Sequence, residues 1–269
     1  ALCRRLPRPE AKAEVLAAVP RELIRHRPIR RIATHITFTP DRTAVAIDAQ
    51  VGAGFFLGTL AVDGGFELWH EDTVCWNHAQ LNPMDPELML LTNGKWIHPV
   101  TGERALYETP VWLLRKGRSP EPLLSHKSWL GHETWDAAGS RVWYMDYVAG
   151  VERIDIRSRE RELVWPGERG VWHSHASRDG RFLVRDLYLG KDHRRGPAGV
   201  DFFNVGTGRS VEVISEMPAC SADCTGYHAH PHPRFNQEDH WLVYTTHVRG
   251  KPDLAVTPVV ELLERTQRD

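Results

Sequence analysis

The chain has 269 residues, 41% of them hydrophobic and 26% charged, a balance that supports a sizeable buried core and excludes disorder, collagen and coiled coil. Thirty-four basic against 35 acidic residues leave a formal charge of −1, without the basic excess that marks a nucleic-acid-binding protein. Apolar runs such as Val15-Leu16-Ala17-Ala18-Val19 fall far short of the roughly 20 residues that cross a bilayer, so neither nucleic acid nor membrane is an expected partner.

In chain order, residues 10–23 are Ala-rich with apolar positions at helical spacing, which predicts a partly helical N-terminal extension over residues 1–29. Cys3, Cys75, Cys220 and Cys224 are too few and scattered for a disulfide scaffold. They point to a reducing compartment, the cytoplasm, with the periplasm as the alternative. From residue 30 onward the pattern changes to strands: 43–48, 141–146 and 240–246 are rich in β-branched and aromatic residues, and Gly, Asp, Asn and Pro punctuate the chain between them. Residues 259–265 predict a last short helical turn.

Five self-similar stretches run through this β region, starting at His35, His78, His132, His173 and His232. Each is a short strand, a polar turn and an apolar strand, and each begins with histidine. The starts lie 41 to 59 residues apart, near the roughly 40–50 residues of a four-stranded propeller blade. Second hairpins fill the gaps, 55–60 with 66–69, 111–114 with 122–124, and 200–204 with 210–214. The fold expected is all-β, a β-propeller over residues 30–269 with about five blades visible, either a small propeller or one lacking N-terminal blades.

In a propeller the equivalent starts of the innermost strands converge on one mouth of the central channel, so the five histidines are expected to form an arc, with His175, His228 and His230 close by. Tyr227-His228-Ala-His230-Pro-His232-Pro is the densest part. His-x-His on an extended segment sets both rings on one face, and a third imidazole such as His173 would complete an open metal site. A metal-free hydrogen-bonded cluster is the alternative. Cys220 and Cys224 are wrongly spaced for a zinc knuckle. No Gly-x-Ser-x-Gly elbow, phosphate-binding loop, dinucleotide fingerprint or His-Glu-x-x-His is present. Gly52-Ala-Gly54 reads as a hairpin turn, and Asp85, Asp146 and Asp186 near strand ends read as turn residues.

Several motifs together resemble a known family: Asn77-His78-Ala-Gln-Leu-Asn-Pro, Gly131-His132-Glu-Thr-Trp135, the His173 strand with Asp179-Gly180, and His230-Pro-His-Pro-Arg-Phe235 followed by Val243-Tyr-Thr-Thr. They are similar to those of the oligogalacturonate lyases of polysaccharide lyase family 22 and of related uronate-cleaving propellers, over residues 30 to 258. The resemblance implies a seven-bladed propeller carrying out β-elimination on uronic-acid oligosaccharides, with a divalent metal, Mn2+ first and Zn2+ or Ca2+ as alternatives, on His173, His230 and His232, and a catalytic histidine at His132. The family's metal-binding glutamine falls on Tyr227, beside His228. Its catalytic arginine falls on Pro110, and its His-Glu-Gly on Asn93-Gly94. These departures point toward a different uronate linkage or a catalytically silent propeller binding an acidic sugar or a protein; a metal-dependent hydrolase is a further alternative.

Elimination beside a uronate needs a base for the proton α to the carboxylate, positive charge for the developing enolate, and an acid for the leaving oxygen. Histidine titrates in the range needed for proton transfer. His132 and His78 are the leading candidates, His98 is a third, and Arg104 or Arg115 could replace the missing positive charge.

Overall fold

A computed structural model describes residues 2–4, 8, 10–93, 96–97, 101–105, 111–124, 129–167, 170–189, 197–218 and 230–267, with the backbone alone at 2, 4, 96–97 and 104–105. It divides into two units, Ala1–Lys127 and Ser128–Asp269.

The first unit opens with β1 (Leu2–Arg4) paired antiparallel to β2 (Glu14–Ala17), followed by a single helical turn, α1 (Arg21–Ile24). Within the helix expected over residues 10–23, only residues 21–23 are helical and residues 14–17 are strand. Pairing with β1 outweighs the alanine-rich helix propensity, a weak prior that tertiary context overrides, and Pro20, at ψ 142°, stands where the one helical turn starts. Ala17 packs with Val45, Ile47, Phe56 and Leu60.

Two four-stranded antiparallel sheets follow. The first is β3 (Ile29–Arg31), β4 (Ala44–Val51), β5 (Gly54–Ala61) and β6 (Phe66–Asp72), in that order. β4 and β5 are buried along nearly their whole length, as inner strands covered on both faces are, and the tight turn between them places Gly52 at φ +61°. The second sheet comprises β7 (Trp76–Leu81), β8 (Leu88–Asn93), β11 (Val111–Arg115) and β12 (Glu121–Pro122), with a short pair β9 (Trp96–Ile97) and β10 (Arg104–Ala105) in the connection between β8 and β11.

The second unit holds two further four-stranded sheets. They are β13 (Leu130–Trp135) to β16 (Arg161–Pro166) through β14 (Arg141–Asp146) and β15 (Gly150–Asp155), and β17 (Val171–Ala176) to β20 (Arg209–Met217) through β18 (Phe182–Tyr188) and β19 (Ala198–Asn204). A three-stranded sheet of β21 (Arg234–Phe235), β22 (Trp241–Thr246) and β23 (Asp253–Pro258) leads into α2 (Val259–Thr266). The helix buries Val259 and Leu262 against Val184, Phe202 and Leu242. In these sheets successive strands pair antiparallel, with β8 reaching β11 past the separate β9–β10 pair, the meander of a β-propeller blade. The fold class is an all-β propeller.

Each repeat seen in the sequence occupies the first hairpin of its own sheet, and its polar turn has a hydrogen-bonding reason. Asp136 accepts the N–H groups of Ser140 and Arg141, Asn82 those of Met84 and Asp85, and Asn236 that of Trp241. The first strands share an irregularity as well. Register slips between Asn77 and Gln80 in β7, Gly131 and Thr134 in β13, and Val171 and Ser174 in β17. The third residue of each strand, His78, His132 and His173, lies inside that bulge. Bulges re-aim side chains, and His78 and His132 reach φ +54° and +55° to follow this one.

Candidate metal and proton-transfer site

Three of the predicted residues converge in the second unit. His173 comes from the bulge of β17, while His230 and His232 come from the segment just before β21, and one donor atom of each lies within 4.8 Å of the other two. His173 and His230 are buried, at 4% and 7% exposure, so the donors are largely withdrawn from water.

A fully buried carboxylate organises the trio. Asp186, in β18 opposite the β17 bulge, accepts the His173 backbone N–H at 2.7 Å through Oδ1. Its Oδ2 lies 2.7 Å from Nδ1 of the His173 ring and accepts the His232 backbone N–H at 3.1 Å. Nδ1 of His173, committed to the carboxylate, leaves Nε2 as the donor. That carboxylate–imidazole pairing is how ligating histidines are oriented, so the donor set fits a divalent cation. Burial pushes Asp186 up to about 6, against the pull of the two N–H bonds and the neighbouring histidines.

His132 stands beside the trio. Its ring centroid is 4.0 Å from that of His173 at 74° and 6.0 Å from that of His232. Glu133, next in the strand, is buried. Tyr147 approaches His132 edge-on at 6.0 Å, and burial keeps its hydroxyl well above the ordinary tyrosine range, hence protonated.

Of the five repeat-start histidines, the first unit holds His35 and His78 and the second holds His132, His173 and His232. In the first unit His78 stacks on His35, with centroids 4.6 Å apart and ring planes at 22°. The His78 backbone N–H donates to Thr34 Oγ1 at 2.7 Å. Among the described residues His173, His230 and His232 form the one cluster of three metal-capable groups. His175 does not join it. Its Nδ1 accepts the Phe235 N–H at 3.4 Å, and burial, helped by Arg234, pulls it down to about 4. Arg115, a candidate replacement for the arginine, is instead paired with Asp85 at 2.8 Å. The side chain of Arg104, and His98, Pro110, Cys220, Cys224, Tyr227 and His228, lie outside the described residues.

Sequence reasoning missed Asp186, reading it as a turn residue. The available signal was a pair of charged residues, Arg185 and Asp186, in the middle of a strand whose other positions are apolar or aromatic, Phe182-Leu-Val-Arg-Asp-Leu-Tyr188, a place where burial demands partners. It also passed over Trp172 and Tyr188, whose rings lie 6.5 and 5.0 Å from His230.

No sequence-family model matches the chain, and no curated protein does. Solved structures do match. An oligogalacturonate lyase in complex with manganese aligns with a TM-score of 0.70 at 18% identity, over 92% of this chain and 68% of the other. Oligogalacturonate lyase from Vibrio parahaemolyticus gives 0.70 at 17% identity, over 92% and 69%. The chain shares its fold with the oligogalacturonate lyases. TolB from Acinetobacter baumannii, another similar structure, aligns at 0.58 and 14% identity over 86% of this chain and 52% of that one. The resemblance carried by the His-Glu-x-Trp and His-Pro-His-Pro motifs therefore holds at the level of fold.

Proposed function

We propose that this chain is a metal-dependent lyase that cleaves a uronic-acid-containing oligosaccharide by β-elimination. The observation that carries the reading is one cluster in which three buried-to-half-buried histidines, two of them pinned by Asp186, adjoin a fourth, His132, 4.0 Å from His173. A divalent cation held by His173, His230 and His232, Mn2+ in the first place and Zn2+ or Ca2+ as alternatives, would supply the positive charge that makes the proton beside a uronate carboxylate removable.

His132 is assigned the proton transfer. As a neutral imidazole it takes the proton at the ring carbon α to the carboxylate, the electron pair left behind forms the ring double bond, and the bond to the neighbouring glycosidic oxygen breaks. That oxygen leaves with a proton. Of the other two carriers that the sequence offers, His78 is stacked on His35 in the first unit, and His98 lies outside the described residues. Burial of the trio supports the chemistry by lowering the local dielectric, which strengthens every charge interaction there.

One observation favours the alternative, a catalytically silent propeller that binds an acidic sugar: Arg115, which could have supplied the missing charge, is committed to Asp85. The deciding experiment is incubation with a panel of uronate-containing oligosaccharides in the presence of added metal, followed by ultraviolet absorbance for the unsaturated product. At least one linkage should give that product. Binding across the panel with no absorbance change would establish the silent reading instead.

A further inference from the structure

Beside His132 the second unit carries an aromatic cluster for which the proton-transfer chemistry has no use. Tyr147 and Trp172 pack together with centroids 4.9 Å apart, and each faces His132, at 6.0 and 6.5 Å. Trp129 rests on both, 4.8 Å from Tyr147 and 5.9 Å from Trp172, perpendicular to the latter at 89°. It is 63% exposed. Trp172 also lies 6.4 Å from His173 and 6.5 Å from His230, so the rings form one cluster that runs from the histidines through Tyr147 and Trp172 to the exposed Trp129.

The backbone holds this ledge in place. The Trp129 carbonyl accepts the Tyr147 N–H at 3.1 Å. Gly131 lies directly under the Tyr147 hydroxyl, where an added Cβ would sit 2.6 Å from the hydroxyl oxygen, so a residue with a side chain would displace the tyrosine. Two packed rings thus brace a third, Trp129, that stays largely exposed. An isolated exposed apolar side chain needs no explanation, but a rigid indole supported from behind and aligned with a proton carrier is the form a ligand platform takes. The ligand that suits it is a ring with an apolar C–H face and polar edges, since the face can stack on the indole while the edges stay hydrated.

We propose that Trp129, supported by Tyr147 and Trp172, is a subsite for a pyranose ring, holding the sugar next to the one that reacts at His132. The assignment of that neighbouring unit rests on the lyase reading; the stacking site itself does not. The subsite positions the oligosaccharide and takes no part in bond breaking. Its contribution therefore belongs to binding, and it should favour trisaccharides over disaccharides.

The test is isothermal titration of the full chain in a His132→Ala background with trigalacturonate and with a trisaccharide of a second uronate linkage, alone and combined with Trp129→Ala or Trp129→Phe. Trp129→Ala should weaken the trisaccharide at least tenfold and remove its quenching of tryptophan fluorescence, with melting temperature and metal content unchanged. Trp129→Phe should retain affinity within about threefold. The proposal is overturned if Trp129→Ala binds within twofold of its parent, or if neither trisaccharide binds. The two readings fail separately. Trp129-dependent binding with no unsaturated product from the wild-type chain keeps the subsite and removes the lyase, whereas cleavage with KM unaltered by Trp129→Ala does the reverse.

Discussion

The two units use the same clasp to different ends. In the first, Asp48 of β4 accepts the Thr34 backbone N–H at 2.7 Å and the Thr34 hydroxyl, and then the N–H of Ala79 in the following repeat at 3.3 Å. In the second, Asp186 of β18 accepts the His173 N–H at 2.7 Å, meets the His173 ring, and then accepts the N–H of His232 in the following repeat. Both carboxylates are buried, and burial raises the pKa of both. What differs is the side chain presented: threonine and alanine in one unit, two imidazoles in the other. The comparison teaches that the carboxylate first serves the backbone, stitching consecutive repeats together, and that the metal-capable site is obtained by changing which residues it stitches.

The strongest way to break this comparison is to remove the imidazoles that set the second unit apart. His230→Ala/His232→Ala should abolish bound metal, measured by elemental analysis of protein purified without a histidine tag. Equal metal in variant and wild type would take the site away from this segment. Next comes His132→Ala, expected to lower turnover about 10²- to 10⁴-fold, as for loss of a general acid or base, with metal content unchanged. His78→Ala, across the same bulge in the first unit, should leave turnover within a few-fold. If His78→Ala is the more damaging change, the roles of the two units are reversed.

The clasp itself gives a prediction in which the units should agree before they diverge. Asp48→Ala and Asp186→Ala each strand one buried and one part-buried N–H group, so each should cost roughly 2–4 kcal/mol in urea unfolding. Only Asp186→Ala should also weaken metal binding. A stability loss confined to one of the pair would show that the clasps are not equivalent.

Much of this arrangement was legible in the sequence because turn chemistry is local. Three of the five hairpins announce themselves through Asn82, Asp136 and Asn236, each of which closes its turn with its own side chain. The segment over residues 10–23 misled because its strand character comes from β1, a partner the local pattern does not reveal. The bulges were invisible for a different reason. His78, His132 and His232 take positive φ without being glycine, so no residue type flags the position. The trio of His173, His230 and His232 was readable from its motifs, whereas Asp186 was not, because its importance lies in being buried opposite a bulge.

The smallest effect sharpens the contrast between the metal-capable histidines and His175, which lies outside their cluster. His175 has its folded-state pKa pulled down to about 4, below the roughly 6.5 of an unfolded histidine. Between those values the unfolded chain binds the extra proton, so the stability this group contributes at neutral pH is lost as pH falls from about 6.5 to about 4. In metal-free protein, His175→Gln should therefore gain on the wild type progressively over that interval in pH-dependent unfolding. A difference between the two proteins that does not change with pH would refute it.

The left-handed backbone at His78, His132 and His232, with φ between +44° and +55°, sets side chain and stability against each other. A residue with a Cβ gives up about 1–2 kcal/mol in that region, and glycine does not. Changing histidine to glycine at these three positions would therefore relax the backbone while removing an imidazole, so the side chains are carried there at a local conformational cost.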